Sequence, residues 1–346
     1  MEIGIDSFAA RFDDIGLAAR PVDRMRELLE RIEQADQVGL DVFGIGEHHK
    51  REFLDSAPAV ILAAAAGRTR RIRLTSAVTV LSAADPVRLF QQFATLDLVS
   101  QGRAEMVVGR GSSIEAFPLF GCDLRDYDAL FAEKLDLLLN VRANEHVTWS
   151  GQFRSELTGK GVYPRPVQDP LPIWLGVGGT PHSFARAGVL GLPLMVAIIG
   201  GDPRRFRPLV DLYRESGRRA GHPPEQLKVG VHALGYVAPT STQAIEEFYP
   251  GYMEGMTKAG QERGWGPVTR AHFDAEVGPR GALIVGGPED VVEKIRSYDA
   301  VLGGITRLTF QMDLAALPHA TLIRSIELLG TRVAPTLQEI AAAASI

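Results

Sequence analysis

Pro172–Gly191 reads PIWLGVGGTPHSFARAGVLG, a strand that passes through a glycine turn into a helix. Pro172–Val177 is apolar and preceded by prolines, as a short buried strand would be. Gly178 and Gly179 free the backbone to turn tightly. Thr180 suits a helix N-cap, Pro181 suits the first helical position, and Ser183 falls in the first turn. N–H groups in such a turn converge on one spot, which makes it a ready anion site. An ordinary strand–helix connection uses the same residues, so this stretch alone leaves both readings open. It is not a dinucleotide fingerprint, because Pro181 stands where G-x-G-x-x-G needs a small residue.

The same strand-then-helix unit recurs on both sides. Strands are expected at Glu2–Ser7, Asp41–Gly46, Ile72–Leu81 and Ala104–Gly109 before it, and at Leu194–Ile199, Lys228–Val237 and Thr306–Met312 after it. Helical spacing fills the intervals, as in Val22–Val38, Pro86–Val99, Asp126–Val141 and Pro288–Leu302. Eight unbroken β/α repeats predict an α/β fold closed as a (β/α)8 TIM barrel, a single domain over residues 1–346. Gly111–Arg125, Asn144–Asp169 and Gly260–Gly286 read as insertions at the barrel mouth, where the active sites of such barrels are built.

Composition narrows the function classes. A net charge of −5 over 346 residues provides no bulk field for nucleic acid. The one dense basic run, Arg68, Arg70, Arg71 and Arg73, reads as a solvated helix end. Cys122 is the only cysteine, which excludes internal disulfides and multi-cysteine zinc sites. The apolar run Ala57–Gly67 is too short to span a bilayer, and the opening MEIGIDSF lacks the pattern of a secretory leader. A soluble cytoplasmic protein without membrane or nucleic-acid partners is expected.

Two strand ends carry chemistry. Arg110 closes the fourth strand, next to the fifth in a barrel, so its guanidinium is expected beside the helix that follows Gly179. Gly46-Glu47-His48-His49 closes the second strand. Successive strand residues face opposite sides, so the two histidines would chelate one metal poorly and no metal site is expected. On strand parity His48 lies with Gly44 and Gly46, which should leave room over the barrel interior for a bound ring. A histidine there suits proton transfer near neutral pH, or it is held by hydrogen bonds in the wall.

Five blocks in order are GEHH at Gly46–His49, LTSAVTVLSAADPVRLFQQFATLDLVSQGR at Leu74–Arg103, VVGRG at Val107–Gly111, PIWLGVGGTPHSFARAG at Pro172–Gly188 and IVGGPEDVVEKI at Ile284–Ile295. With this spacing the chain resembles, over nearly its whole length, the bacterial-luciferase-like flavin-dependent monooxygenases, especially the luciferase alpha-subunit branch. The resemblance implies reduced FMN as the reacting cofactor, with its phosphate on Arg110, Gly178, Gly179, Thr180 and Ser183. It implies a catalytic His48 and a non-proline cis peptide at Ala77–Val78 beneath the flavin. Gly109 stands where luciferase has a cysteine, which should open the pocket. The implied reaction transfers one oxygen atom from O2 to a small organic substrate through a flavin hydroperoxide. No nicotinamide site is evident, so a separate flavin reductase is implied. Two other readings share the barrel, a deazaflavin (F420)-dependent dehydrogenase and a non-catalytic flavin-binding protein. Leu89, Phe90, Phe93, Leu96 and Leu98 on one helix look like more apolar surface than a barrel-facing stripe needs, so a homodimer is expected.

Overall fold

Glu2–Ser7 (β1) pairs in parallel with Val42–Ile45 on one side and Arg307–Gln311 on the other, so the two ends of the chain meet in one sheet. The computed structural model describes residues 1–10, 20–111, 114–264 and 266–343. After β1 come α1 (Pro21–Gln37), β2 (Val42–Ile45), α2 (Pro58–Ala66), β3 (Arg73–Ser76), β4 (Thr79–Val80), α3 (Pro86–Ser100) and β5 (Met106–Gly109). The next elements are α4 (Ala116–Leu119), α5 (Tyr127–Ala143), β6 (His146–Trp149), β7 (Leu157–Gly161), β8 (Ile173–Val177) and α6 (Pro181–Val189). They are followed by β9 (Leu194–Ile198), α7 (Arg207–Arg219), β10 (Val229–Val237), α8 (Ser241–Arg263), α9 (Arg270–Val277) and β11 (Ile284–Gly286). The last are α10 (Pro288–Leu302), β12 (Arg307–Gln311), α11 (His319–Leu328) and α12 (Ala334–Ala343).

The parallel sheet runs β3-β2-β1-β12-β10-β9-β8-β5-β4. Its two ends, β3 and β4, are halves of the stretch read as one strand over Ile72–Leu81. They are split at the cis Ala77–Val78 peptide, so the first half pairs with β2 and the second with β5. A bridge between Leu74 and Ala104 ties the halves together across the seam, and the TIM barrel closes. Helices cover the outside, which is why the strands read as continuous apolar runs.

At the base of the interior, Arg307 donates from Nε to Glu2 (2.7 Å) and through both terminal nitrogens to Glu105, with its guanidinium 4.3 Å from the centre of the Trp174 ring. Trp174, Val107 and Met195 fill the next layer, with Val78 packed on them. The carboxyl ends of the strands form the mouth. The Gly111–Arg125 region follows β5 there. α8 crosses the same end, where Gly255 lies against Leu314 and Lys258 pairs with Glu52. The stretch beyond α8, read as a glycine-rich excursion, contains α9 and β11, and β11 extends the sheet along the end of β10. Asn144–Asp169 joins a helix end to a strand start, so it leaves and re-enters at the base. Its β6–β7 hairpin climbs the outside of α5 and reaches the rim near its tip, where Arg154 meets Asp85 at 2.8 Å.

The apolar residues of α3 do not form a surplus face: Leu89, Phe90, Phe93 and Leu96 are buried by the chain itself, and only Leu98 is exposed, beside Val99. No helix among the described residues is long and apolar enough to cross a membrane.

Candidate active site

β2 ends at Ile45, and the following residues lift away from the ladder at the mouth. There His48 is held twice by Asp55, through its backbone N–H (3.1 Å to Oδ1) and through Nδ1 (2.9 Å to Oδ2). With Nδ1 donating to the carboxylate, Nε2 is left as an acceptor. Phe53 stacks on the imidazole at 4.3 Å and Phe8 meets it at 4.7 Å. Asp55 is fully buried, whereas the His48 side chain keeps 13% of its surface exposed. Burial pushes the Asp55 carboxyl above its ordinary value, and the His48 hydrogen bond opposes that rise.

His49 turns the other way, to Glu47 (3.1 Å) and the edge of the Phe120 ring. Glu47 also accepts from the Val80 backbone N–H at 3.0 Å, while burial raises its pKa. The two histidines therefore diverge. Among the described residues no group of three His, Cys, Asp or Glu side chains gathers as a metal ligand set.

The glycines below His48 do not leave open room. A Cβ on Gly46 would lie 2.6 Å from Phe8 and 2.7 Å from Asp55 Oδ2, and one on Gly44 would lie 2.1 Å from Asp6 Oδ1. These glycines make room for the aromatic and carboxylate groups behind the imidazoles. Gly109 is similar: its missing Cβ is replaced by Val78, 2.8 Å away, so the pocket is not opened there. Val78 also fills the space over Gly176. The Ala77–Val78 peptide is cis, and Ala77 borders Gly44 on the inner wall.

The second corner lies two strands further round the mouth, beyond the β3–β4 seam. β5 and β8 are hydrogen-bonded neighbours, so Arg110 lies beside the start of α6. Its Nη2 donates to Thr180 Oγ1 at 3.2 Å, its Nη1 to Asp128 at 2.6 Å, and the guanidinium lies over Tyr127. Thr180 occupies the N-cap position but its side chain makes no capping bond. The first turn thus keeps N–H groups that its own helix does not satisfy. Gly178 and Gly200 have no atom within 4 Å of where a Cβ would lie, and Gly179 adopts φ +148°. Ser183 is buried and gives its backbone N–H to the Thr180 carbonyl at 2.9 Å, so it forms the floor of the turn. An uncapped helix start, bare glycines and a guanidinium make a cradle suited to an anion. Asp128, whose side chain is 75% exposed, holds the guanidinium from the solvent side.

Five residues of this site have no signal in the sequence. Asp55 and Phe53 follow His48 in a loop of no recognisable spacing, and Phe8 comes from the other end of β1's exit. Asp6 and His232, 226 residues apart, meet only because β1 and β10 flank β12.

A parallel barrel with a histidine–aspartate pair and an anion cradle at its carboxyl mouth has the layout of a TIM-barrel enzyme. The profile of the luciferase-like monooxygenases matches residues 1–303, and the chain belongs to that family. It is 28% identical over 324 residues to 4-hydroxyprotoasukamycin monooxygenase of Streptomyces nodosus subsp. asukaensis, covering 89% of this chain and 85% of that one. It is also 28% identical over 310 residues to the F420-dependent glucose-6-phosphate dehydrogenase of Beutenbergia cavernae, covering 82% and 87% of the two chains. The crystal structure of the monooxygenase RslO1 from Streptomyces bottropensis superposes with a TM-score of 0.84 at 25% identity, over 97% of this chain and 99% of the other.

Proposed function

We propose that this oxidoreductase is an FMN-dependent monooxygenase that inserts one atom of O2 into a small organic substrate. The observation that carries the reading is the Arg110–Thr180 corner, an anion cradle on the same barrel mouth as His48. Arg110, the N–H groups around Gly178, Gly179 and Thr180, and the bare face of Gly178 would hold the FMN phosphate. Ala77, Val78 and Gly109 would form the wall against the flavin ring, and Ser183 would support the turn from below. Bound and reduced, FMN supplies the electrons that activate oxygen. His48 Nε2 accepts or returns a proton at the reacting atoms, while Asp55 fixes its tautomer and Phe8 and Phe53 keep water from the ring.

In this reading residues 1–346 act as one domain in the cytoplasm, a separate reductase supplies reduced flavin, and a homodimer would cover the apolar surface at Leu98 and Val99. The test is anaerobic titration with reduced FMN and with reduced F420, followed by mixing with oxygen. FMN binding with oxygen uptake and an oxygenated product supports the proposal. F420 binding without oxygen uptake would replace it with hydride transfer, the activity named for the Beutenbergia relative. FMN binding together with oxygen reaction rates that loss of His48 leaves unchanged with every substrate tried would make the protein a flavin carrier.

A further inference from the structure

A second histidine–aspartate pair sits inside the mouth. Asp6 on β1 accepts from His232 Nδ1 (2.7 Å, on β10) and from the Thr309 hydroxyl on β12. Asp6 is 3% exposed and the His232 side chain 10%, so the pair is almost withdrawn from water. The other Asp6 oxygen faces Gly44, beside Ala77 of the cis peptide, which places the pair next to the inner wall that carries that peptide. The His232 ring stacks on Phe8 at 5.8 Å and 9°, and His48 meets the same phenyl ring at 4.7 Å. One aromatic ring thus stands between two imidazoles, each backed by a buried carboxylate.

With Nδ1 donating to Asp6, Nε2 of His232 carries a lone pair, has no protein hydrogen-bond partner among the described residues and is not one of their fully buried unpartnered atoms, so it opens to accessible space. It is therefore an acceptor held ready for an O–H or N–H that the protein does not itself supply.

We propose that His232 binds and deprotonates an acidic hydroxyl of the organic substrate, that of a phenol or enol. The inference rests on the monooxygenase reading for the site's chemistry, while the assignment of His232 rests on its own geometry. The substrate O–H bond breaks and an N–H bond forms at Nε2. The imidazolium keeps its Nδ1–H on Asp6, which stabilises the positive charge, and the proton returns to the product oxygen or to water after turnover. The resulting phenolate or enolate is electron-rich at carbon, which is what attack on an electrophilic oxygen requires.

The probe is 4-nitrophenol, with 4-nitroanisole as the analogue lacking the hydroxyl. Each is titrated into the purified protein with and without bound FMN, below the pH at which free nitrophenol ionises. We expect nitrophenol to bind about tenfold or more tightly than nitroanisole and to show the phenolate absorbance band when bound. His232→Gln should abolish the band and the preference, and Asp6→Asn should weaken both, with FMN affinity in either variant within a few-fold of wild type. His48→Gln should keep the band. Thermal melts establish that the variants are folded. If His232→Gln does not fold, the Asp6→Asn result decides. Equal binding of the two probes, a bound but neutral phenol, or an unchanged band in the folded variants would overturn the proposal. Failure of wild-type protein to bind FMN would overturn the cofactor reading instead, with the flavin-free titration still deciding the role of His232.

Discussion

Arg110 reaches from the end of β5 to the start of α6, where its guanidinium donates to the Thr180 hydroxyl at 3.2 Å while Asp128 holds its other edge at 2.6 Å. The arginine is thus poised between a carboxylate on a helix and a neighbouring, uncapped helix start. A phosphate entering the cradle would replace the carboxylate as its anion.

Two substitutions test that exchange. Arg110→Ala should weaken FMN binding by about 1.5–3 kcal/mol, the scale of charge-assisted hydrogen bonds. Asp128→Asn should leave FMN affinity unchanged or improve it, because a competing anion is removed. Fluorescence titration of both variants measures this, and equal affinity in Arg110→Ala would remove the arginine from the site.

His48→Ala should reduce turnover by about 100- to 10,000-fold, the usual contribution of a general acid–base group, with FMN affinity nearly unchanged. Asp55→Asn should lower turnover less, since the imidazole remains but its tautomer is no longer held by a carboxylate. His49→Ala, which loses contacts to Glu47 and Phe120, should act mainly on the melting temperature. Steady-state rates with reduced FMN, together with thermal melts, separate the three.

The ion pair at the base of the barrel should be intolerant of half-removal. Arg307 and Glu105 side chains are each 2% exposed. Glu105→Ala leaves the guanidinium with Glu2 alone and should cost about 3–5 kcal/mol in urea unfolding. The double variant Glu105→Leu/Arg307→Met should be more stable than Glu105→Ala, since neither charge is then buried without its partner.

Asp36 supplies a pH-dependent element. Its carboxylate accepts from the backbone N–H groups of Arg70 (3.0 Å), Arg71 (2.8 Å) and Ile72 (2.7 Å). Burial acts to raise its pKa, but these bonds and the Arg71 charge outweigh it and hold the carboxyl below its ordinary value. A depressed folded value means the stabilisation is present above the unfolded Asp range and is lost as pH falls through the folded value. Unfolding measured across acid pH should show this loss in wild type and a flatter profile in Asp36→Asn. Near neutral pH, Asp36→Ala should cost about 2–4 kcal/mol, from three N–H groups left without an acceptor.

The sequence by itself determined the closed barrel, because strand–helix alternation is a local pattern and eight repeats of it have few ways to bury both faces of a parallel sheet. It also marked Arg110, Gly178, Gly179 and Thr180, since a strand, a glycine turn and a helix start are contiguous in the chain. His48 was marked by its place at a strand end and its catalytic role by resemblance, while the Ala77–Val78 cis peptide was legible through resemblance alone. The tertiary structure alone decided what surrounds them. The glycines near His48 looked like open space because a sequence shows an absent side chain but not the Phe8, Asp55 and Asp6 groups that occupy the gap. The apolar residues of α3 looked like a surface for the same reason, before the barrel and its neighbours covered them. The pairing of Asp6 with His232 depends on three strands brought together from the two ends of the chain, and a contact spanning 226 residues leaves no periodic trace in the sequence.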